Sequence, residues 1–546
     1  MIRASEDLTA SRIWLALWLV VIFIAAWLRL WHLHLQILVD DEWHAIHRLM
    51  QADWKSIALS FGLADYSIPL TLLFNALYET VGLSEWQLRV LPLLFGWGAV
   101  VLIPFLLRPW LEPRERWVLA LLIALSPLLI HYTRTVRPYA PVVVLGFLAM
   151  VSLWRWRHED DRRWAWLFIP AAVLSAWLHA LTAVFTGAAL TWFGVAALIE
   201  WRRHGSRRSL GQVLWVGGIT VAACCLLILP PLLSTPQAIA EKAGIHQIAV
   251  ETLLRSWELW IGSVNPWTAA LMLGLTGLGA WRLWLRDRAF LLYWVWLIAV
   301  STVVLMLLRP AWIHHALVFV RYNTVVHPLL LALAAVGLVW LLAVPKRLRS
   351  GSARTAAVAV GGGLLGAMLY LTGPLPDLYR GINQFTNATR YQLDYDFERS
   401  PFAFMDELPV PAFYDDIATE PGRWEVIETP WHFETTMSTL FEYQGVHQRR
   451  VRIGMISGLC VDWTWGELPP EDADRIHLPQ FVFLSDLIDG HLPERNRFVI
   501  FHLEPAIDEV RPLPSVEACV DAFRARFGPP WHEDSSHVVF RLDYGS

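Results

Sequence analysis

Three consecutive carboxylates, Asp40, Asp41 and Glu42, follow the first long apolar run of the chain, with His44 and His47 close behind. A carboxylate at a lipid–water boundary is partly desolvated, which raises its pKa and suits it to act as a general base. An acidic cap on the helix-like stretch that follows accounts for the same residues equally well. A divalent cation is a third use. Asp41, Glu42 and His44 are then the first ligand candidates, with Asp40 and His47 nearby, although the spacing matches no HExxH zinc signature. Farther on, Arg134 and Arg137 stand in a His-Tyr-Thr-Arg-Thr-Val-Arg-Pro-Tyr phrase. Guanidinium forks match phosphate oxygens in pairs and keep their charge at any working pH. Such arginines either neutralise a bound phosphate or rest against lipid headgroups.

The elements that must position these residues are membrane spans. Of 546 residues, 56% are hydrophobic and 17% charged, against about 25% charged in soluble domains. That excludes a soluble single-core protein and a disordered chain, and four Cys are too few for a disulfide scaffold or a cysteine-rich zinc module. A bilayer core about 30 Å thick needs about 20 apolar residues per helix. Such runs centre on 13–31, 88–107, 116–132, 138–154, 164–181, 183–201, 212–233, 266–285, 289–308, 324–344 and 355–373, about eleven in all. Many of the 32 Trp flank these runs, as Trp110 and Trp164 do, where interfacial Trp is common. Sugar stacking on Trp43, Trp257 or Trp260 is the alternative use.

The net charge of −4 is a cancellation. Residues 1–373 carry 30 Lys+Arg and 19 Asp+Glu, a net +11, whereas 374–546 carry 14 Arg and 29 Asp+Glu, a net −15. Lys and Arg resist translocation. A cytoplasmic N-terminus keeps 20 of the 30 basic residues of the first part inside. An odd number of spans then puts the acidic segment outside. The expected location is the cytoplasmic (inner) membrane, multi-pass, with a C-terminal domain outside. The long connections, 32–87, 234–265 and 309–323, fall on the outer side, so chemistry belongs there. Inner loops are short and basic, with no GxxxxGK[ST] and no strand-borne GxGxxG. Nucleotide-driven chemistry and nucleic-acid partners are therefore not expected.

The phrases together resemble the GT-C superfamily of integral-membrane glycosyltransferases, in the branch of protein O-mannosyltransferases and lipid A aminoarabinose transferases (family 39-like). An Asp-Glu pair after the first span is similar to that family's signature, which assigns acceptor activation to Asp41, with Glu42 beside it and Asp40 as an extra acid. Asp65-Tyr66-Ser67-Ile68-Pro69-Leu70 stands where the family has a His-Pro-Pro-Leu-like stretch, without the His and with one Pro. Arg89-Val90-Leu91-Pro92 is similar to an Arg-Leu-Pro entry into the second span, although a snorkelling Arg fits there too. Ser126-Pro127 and Arg137-Pro138-Tyr139 resemble the family's serine-proline and arginine-proline-tyrosine phrases, and Arg321-Tyr322 its late arginine-tyrosine phrase. His179 resembles another family His. The adjacent His314 and His315 make no metal site by themselves.

The resemblance implies a GT-C-like α-helical polytopic body, residues 1–373, and a donor sugar carried on a polyisoprenyl phosphate. Arg137 and Arg321 would hold the donor phosphate, with Arg134 and Arg89 next in line. Tyr139, Tyr322, His179 and Asp65 would line the substrate. Asp41 would take the proton of an extracytoplasmic acceptor (lipid, glycan or protein of the cell envelope) in one inverting displacement, with a divalent metal as an optional cofactor. Sugar, acceptor and oligomeric state are left open. A transporter or flippase of lipid-linked saccharide, or a non-catalytic assembly subunit, are the alternatives. A flippase calls for broken spans at midplane and an internal repeat, and neither is visible in the sequence.

Residues 374–546 form a separate, polar and Pro-rich segment with β-rich runs at Val451–Ile456, Phe498–Leu503 and His537–Leu542. Val516, Cys519, Val520 and Phe523 share one helical face, with Ser515 as the expected N-cap and Gly528-Pro529-Pro530 as the stop. This reads as an extracytoplasmic α/β domain that covers the membrane site. A Cys460–Cys519 disulfide is allowed in that compartment.

Overall fold

The computed structural model describes residues 2–36, 38, 42–62, 66–343, 351–378, 410–422, 424–430, 440–462, 481–491, 496–504 and 515–542. Asp40, Asp41 and Asp65 lie outside the described residues. Among the described residues eight helices are long and apolar enough to cross a membrane, or up to nine if one bent pair is a single span. The chain is a multi-pass helical membrane protein.

Four of the expected spans take another form, each for a local reason. The 116–132 run is two helices, Pro113–Leu125 and Pro127–Arg134, bent by 57°. Pro127 lacks the N–H that would continue the first helix and pushes Ser126 into the extended region, φ −66° and ψ 115°. The Ser126 hydroxyl then caps the second helix, accepting from the Leu129 N–H at 3.4 Å. The 164–181 run is a 17-residue helix, Arg162–Leu178, started by Asp161, whose carboxylate accepts from the Arg163 N–H.

The 266–285 and 289–308 runs join in one assignment, Pro266–Leu308, broken at Asp287 by φ −153° and ψ 84°. A straight 43-residue helix would be about 65 Å long, twice a bilayer core. Instead the chain turns back at Asp287. Thr268 near one end meets Thr372 at 3.0 Å, and Ser301 near the other meets Asn323 at 3.0 Å. The midpoint sits at the opposite end of the bundle, where Trp110 stacks on Phe290 at 3.9 Å and donates to Asp287 at 3.0 Å. The first arm packs closely on the His327–Ala343 helix. A Cβ at Gly279 would strike the Leu333 carbonyl and one at Gly337 the Leu275 carbonyl, the small-residue contact by which membrane helices approach each other.

After the Gly351–Thr372 helix and the short Leu375–Leu378 helix, the next described residue is Val410. The C-terminal part holds a six-stranded sheet in the order β3-β2-β1-β4-β6-β5. Its strands are β1 (Glu425–Thr429), β2 (Arg450–Met455), β3 (Phe481–Phe483), β4 (Asn496–His502), β5 (His532–Glu533) and β6 (His537–Arg541). β3, β2, β1 and β4 run parallel, and β6 pairs antiparallel with β4 and β5. The expected strands are β2, β4 and β6. The expected helix is Glu517–Phe527, with Val516 rather than Ser515 at the N-cap, because the first helical bond runs from the Val520 N–H to the Val516 carbonyl. Its apolar face is buried as patterned, and Cys460 and Cys519 are disulfide-bonded with Cα atoms 5.1 Å apart. Ile453, Met455 and Phe481 of this sheet belong to the apolar cluster of the membrane body. The Gln444 amide also donates to the Leu35 carbonyl at 3.4 Å. The sheet is thereby docked on the turn that follows the first span.

Candidate active site

Where the first span ends, three guanidinia are withdrawn almost completely from solvent: Arg29 and Arg89 at 1% exposure and Arg134 at 0%. A buried charge costs several kcal/mol unless hydrogen bonds replace its water. Backbone carbonyls do so here. Arg134 donates to the carbonyls of Leu28 at 3.4 Å, Arg29 at 3.1 Å and Trp31 at 2.8 Å, and to the Gln36 side chain at 3.1 Å. Arg89 donates to the carbonyls of Arg134 at 3.1 Å and Gln36 at 3.0 Å. Arg29 reaches Ile123 and Ala124, each at 3.2 Å. These bonds tie the end of the first span to the start of the Glu85–Leu106 helix and to the turn after Arg134.

Glu42 closes the same latch. It holds the N-cap position of the Trp43–Gln51 helix without a side-chain cap bond. Its carboxylate accepts from the Val136 N–H at 2.8 Å and lies 3.5 Å from Arg89. The capping role weighed for this residue is not the one its side chain performs. Glu42 ties the start of the Trp43–Gln51 helix to the turn that carries Arg137. His44 is partly exposed one helical step beyond. Among the described residues no group of three His, Cys, Asp or Glu could hold a metal ion, and the Asp40 and Asp41 parts of the metal expectation lie outside them.

Just past the latch, five of the expected residues come together. Arg137 follows Val136 directly, Tyr139 opens the Tyr139–Glu159 helix, His179 ends the Arg162–Leu178 helix, and Arg321 and Tyr322 end the Ala316–Tyr322 helix. The His179 ring lies 5.6 Å from Tyr139 and 5.4 Å from Tyr322. The Arg321 guanidinium sits 5.7 Å over Tyr139 and 5.6 Å over Tyr322. Burial, then the cations of Arg321 and Arg137, press the His179 pKa down to about 3. His179 is therefore a neutral imidazole between two cations. Two guanidinia beside a neutral imidazole and two phenol rings form a cluster whose chemistry matches an anion.

Sequence reasoning named His314 and His315 but missed what gathers beside this cluster. The Gly244 and Ile245 N–H groups donate to the carbonyls of Leu308 and Arg309, and the Ala311 N–H donates to that of Lys242, so two distant loops pair. They gather His246, Trp312, His314 and His315, with ring centroids 4.0 Å apart for His314 and His315 and 4.2 Å for His246 and His314. Trp312 adopts φ +61°, unfavourable for a bulky side chain, and its N–H donates to His246 Nδ1 at 2.9 Å. The His315 pKa falls to about 4 through burial, then His314, His246 and Arg321. Gln36, Arg29 and Gln444 were missed as well, because their roles depend on carbonyls from other elements.

Fold and site thus define a helical multi-pass membrane protein with a cluster of cationic and aromatic side chains at one end of its bundle and a small α/β domain docked beside it. Residues 55–239 match the family model described as dolichyl-phosphate-mannose-protein mannosyltransferase. That description falls in the branch the resemblance named. No curated protein matches the chain. Among solved structures it is similar to ArnT from Cupriavidus metallidurans bound to undecaprenyl phosphate, with 12% identity, 98% of each chain covered and a TM-score of 0.46. The archaeal oligosaccharyltransferase AglB from Archaeoglobus fulgidus, in complex with an inhibitory peptide and a dolichol-phosphate, matches at 11% identity, 90% of this chain, 70% of that chain and a TM-score of 0.39. Arabinosyltransferase EmbB from Mycobacterium smegmatis matches at 13% identity, 69% of this chain, 42% of that chain and a TM-score of 0.40. No residue role is transferred from these three.

Proposed function

We propose that the protein is a membrane glycosyltransferase that moves a sugar from a polyisoprenyl-phosphate-linked donor to an acceptor outside the cytoplasmic membrane. The observation that carries this reading is the convergence of Arg137 and Arg321 on the neutral His179, next to the turn that Glu42 pins. The match of residues 55–239 to a polyprenyl-phosphate-sugar-dependent family supports the donor class. The Cys460–Cys519 disulfide supports an oxidising compartment for the 374–546 domain, and with it an N-terminus in the cytoplasm.

In the proposed reaction the Asp41 carboxylate takes the acceptor hydroxyl proton as the acceptor oxygen attacks the anomeric carbon. The bond from that carbon to the phosphate oxygen breaks, its electron pair leaves with the lipid phosphate, and the anomeric centre inverts. Arg137 and Arg321 neutralise the charge that develops on the leaving phosphate, usually the largest single catalytic effect. Tyr139 and Tyr322 hold Arg321 in place. Arg89, Arg134 and Glu42 act as positioning residues, since their donors and acceptors already serve the latch. A divalent ion beside Asp41 and His44 remains part of the proposal to be tested by chelation.

The test supplies membranes carrying wild type or Asp41→Asn with labelled polyisoprenyl-phosphate sugar. The expected result is a loss of transfer of about 10²–10⁴-fold, the scale of a general base, with donor binding kept. Near-normal transfer by the variant overturns the role of Asp41. Label that crosses the membrane still attached to its lipid overturns the reaction in favour of a flippase.

A further inference from the structure

The end of the bundle opposite the candidate active site carries a cationic hollow. Its cavity is about 160 Å³ and is lined by Arg114, Arg282, Arg286 and Arg354 together with Glu112 and Glu115. The six come from three helices, Pro113–Leu125 and its cap, Pro266–Leu308 and Gly351–Thr372. Four guanidinia meet two carboxylates there, and both carboxylates face the same cation. Glu115 is buried and bonded twice by Arg286, at 2.7 Å each, while Glu112 lies 3.5 Å from it. Arg114 bridges to the Thr355 hydroxyl at 3.4 Å, closing one rim. Arg282 stands 5.7 Å over Trp340 and 5.8 Å over Trp281, and its buried Nε has no hydrogen-bond partner among the described residues. The remaining wall is aliphatic, made by Val339, Leu342 and Val358.

We propose that this hollow is a binding site for the phosphate headgroup of an anionic phospholipid, which holds the three helices together at the end of the bundle remote from the reaction. Guanidinia outnumber carboxylates among the described lining residues, and forked guanidinia are the side chains that recognise phosphate best. Val339, Leu342, Val358 and the faces of Trp340 and Trp281 give the first acyl carbons an apolar path beside the charges, which a free phosphate would not use. Basic hollows between spans on the cytoplasmic side are a recurrent site for acidic headgroups. The proposal is independent of the reaction assigned to the other end.

The experiment is native mass spectrometry of the full chain titrated with phosphatidylglycerol, with phosphatidylcholine and inorganic phosphate as separate arms. Wild type should retain phosphatidylglycerol in preference to phosphatidylcholine. Arg282→Gln/Arg354→Gln should lower that retention roughly 30-fold, taking about 1 kcal/mol for each basic side chain near the headgroup. Glu112→Gln removes a competing carboxylate and should raise retention, a gain that a misfolded variant would not give. Equal retention of both lipids, or no response to either substitution, overturns the proposal. So does inorganic phosphate binding with the same arginine dependence and no preference for the lipid, which would make the hollow a site for a free anion.

Discussion

Two sets of arginines lie within a few residues of each other at the same end of the bundle, and they are used in opposite ways. Arg29, Arg89 and Arg134 are fully buried and spend their donors on carbonyls from the first span, the bent helix pair and each other's neighbourhoods. Arg137 and Arg321 both act on the His179 imidazole, and Arg321 also lies over the phenol rings of Tyr139 and Tyr322. A carbonyl cage returns to a guanidinium the hydration it lost and leaves it little to offer a ligand. An aromatic ring under a guanidinium holds the cation by its face, a weaker and less directional hold than a carbonyl cage. Arg134 and Arg137 differ by three residues, which is enough to put one in the frame of the fold and the other in the cluster beside His179.

The largest expected effect breaks the frame. Arg89→Leu strips Glu42 of its cation and leaves a buried carboxylate exposed to the full desolvation cost, about 3–5 kcal/mol. Thermal unfolding of the purified protein should show this as a much lower midpoint and a reduced folded yield, with residual activity proportional to folded protein. Arg137→Gln should do the reverse. Its unfolding midpoint should fall far less than that of the latch variant, while turnover falls by about 10²–10³-fold, the loss typical of one donor to developing charge.

A smaller effect is a change in pH dependence. The folded pKa of His179 lies near 3, below the ordinary value of about 6.5. Its contribution to stability is therefore complete above pH 6.5 and is lost as the pH falls toward 3, because the unfolded chain takes up the proton first. Arg137→Gln/Arg321→Gln removes two of the causes of that depression, so the unfolding midpoint should decline less steeply from pH 6.5 to 4. Latch variants should shift the whole curve without changing its slope. The smallest effect is expected for Tyr322→Leu, which deletes one ring beneath Arg321. A cation–π contact of about 0.5–1 kcal/mol corresponds to about a two- to fivefold rise in KM for the donor.

Much of this was readable in the amino-acid order. The apolar runs marked the spans, and Ser126-Pro127 carried the signal for the bend, since proline breaks the ladder wherever it falls inside a helix. The strands ending in His502 and Arg541 and the buried face of the 517–527 helix followed from periodicity. Arg137, Tyr139, His179, Arg321 and Tyr322 were each picked out before their convergence was known. The sequence could not separate Arg134 from Arg137, because nothing local says which guanidinium the carbonyls of Leu28 and Trp31 will reach. Nor could it bring His246 to Trp312, which meet through loops 66 residues apart. Glu42 was read as catalytic or capping. Its side chain makes no cap bond and instead accepts from the Val136 N–H, 94 residues away, a contact that no local pattern announces.

The most direct test of the account is the affinity of the purified protein for a polyisoprenyl phosphate, measured by native mass spectrometry on wild type and on Arg137→Gln/Arg321→Gln. Two lost charge-assisted hydrogen bonds, at about 1.5 kcal/mol each, predict binding about 100-fold weaker, with the unfolding midpoint lowered far less than in the latch variant. An affinity unchanged by the double substitution would contradict the assignment of these two arginines to the donor phosphate.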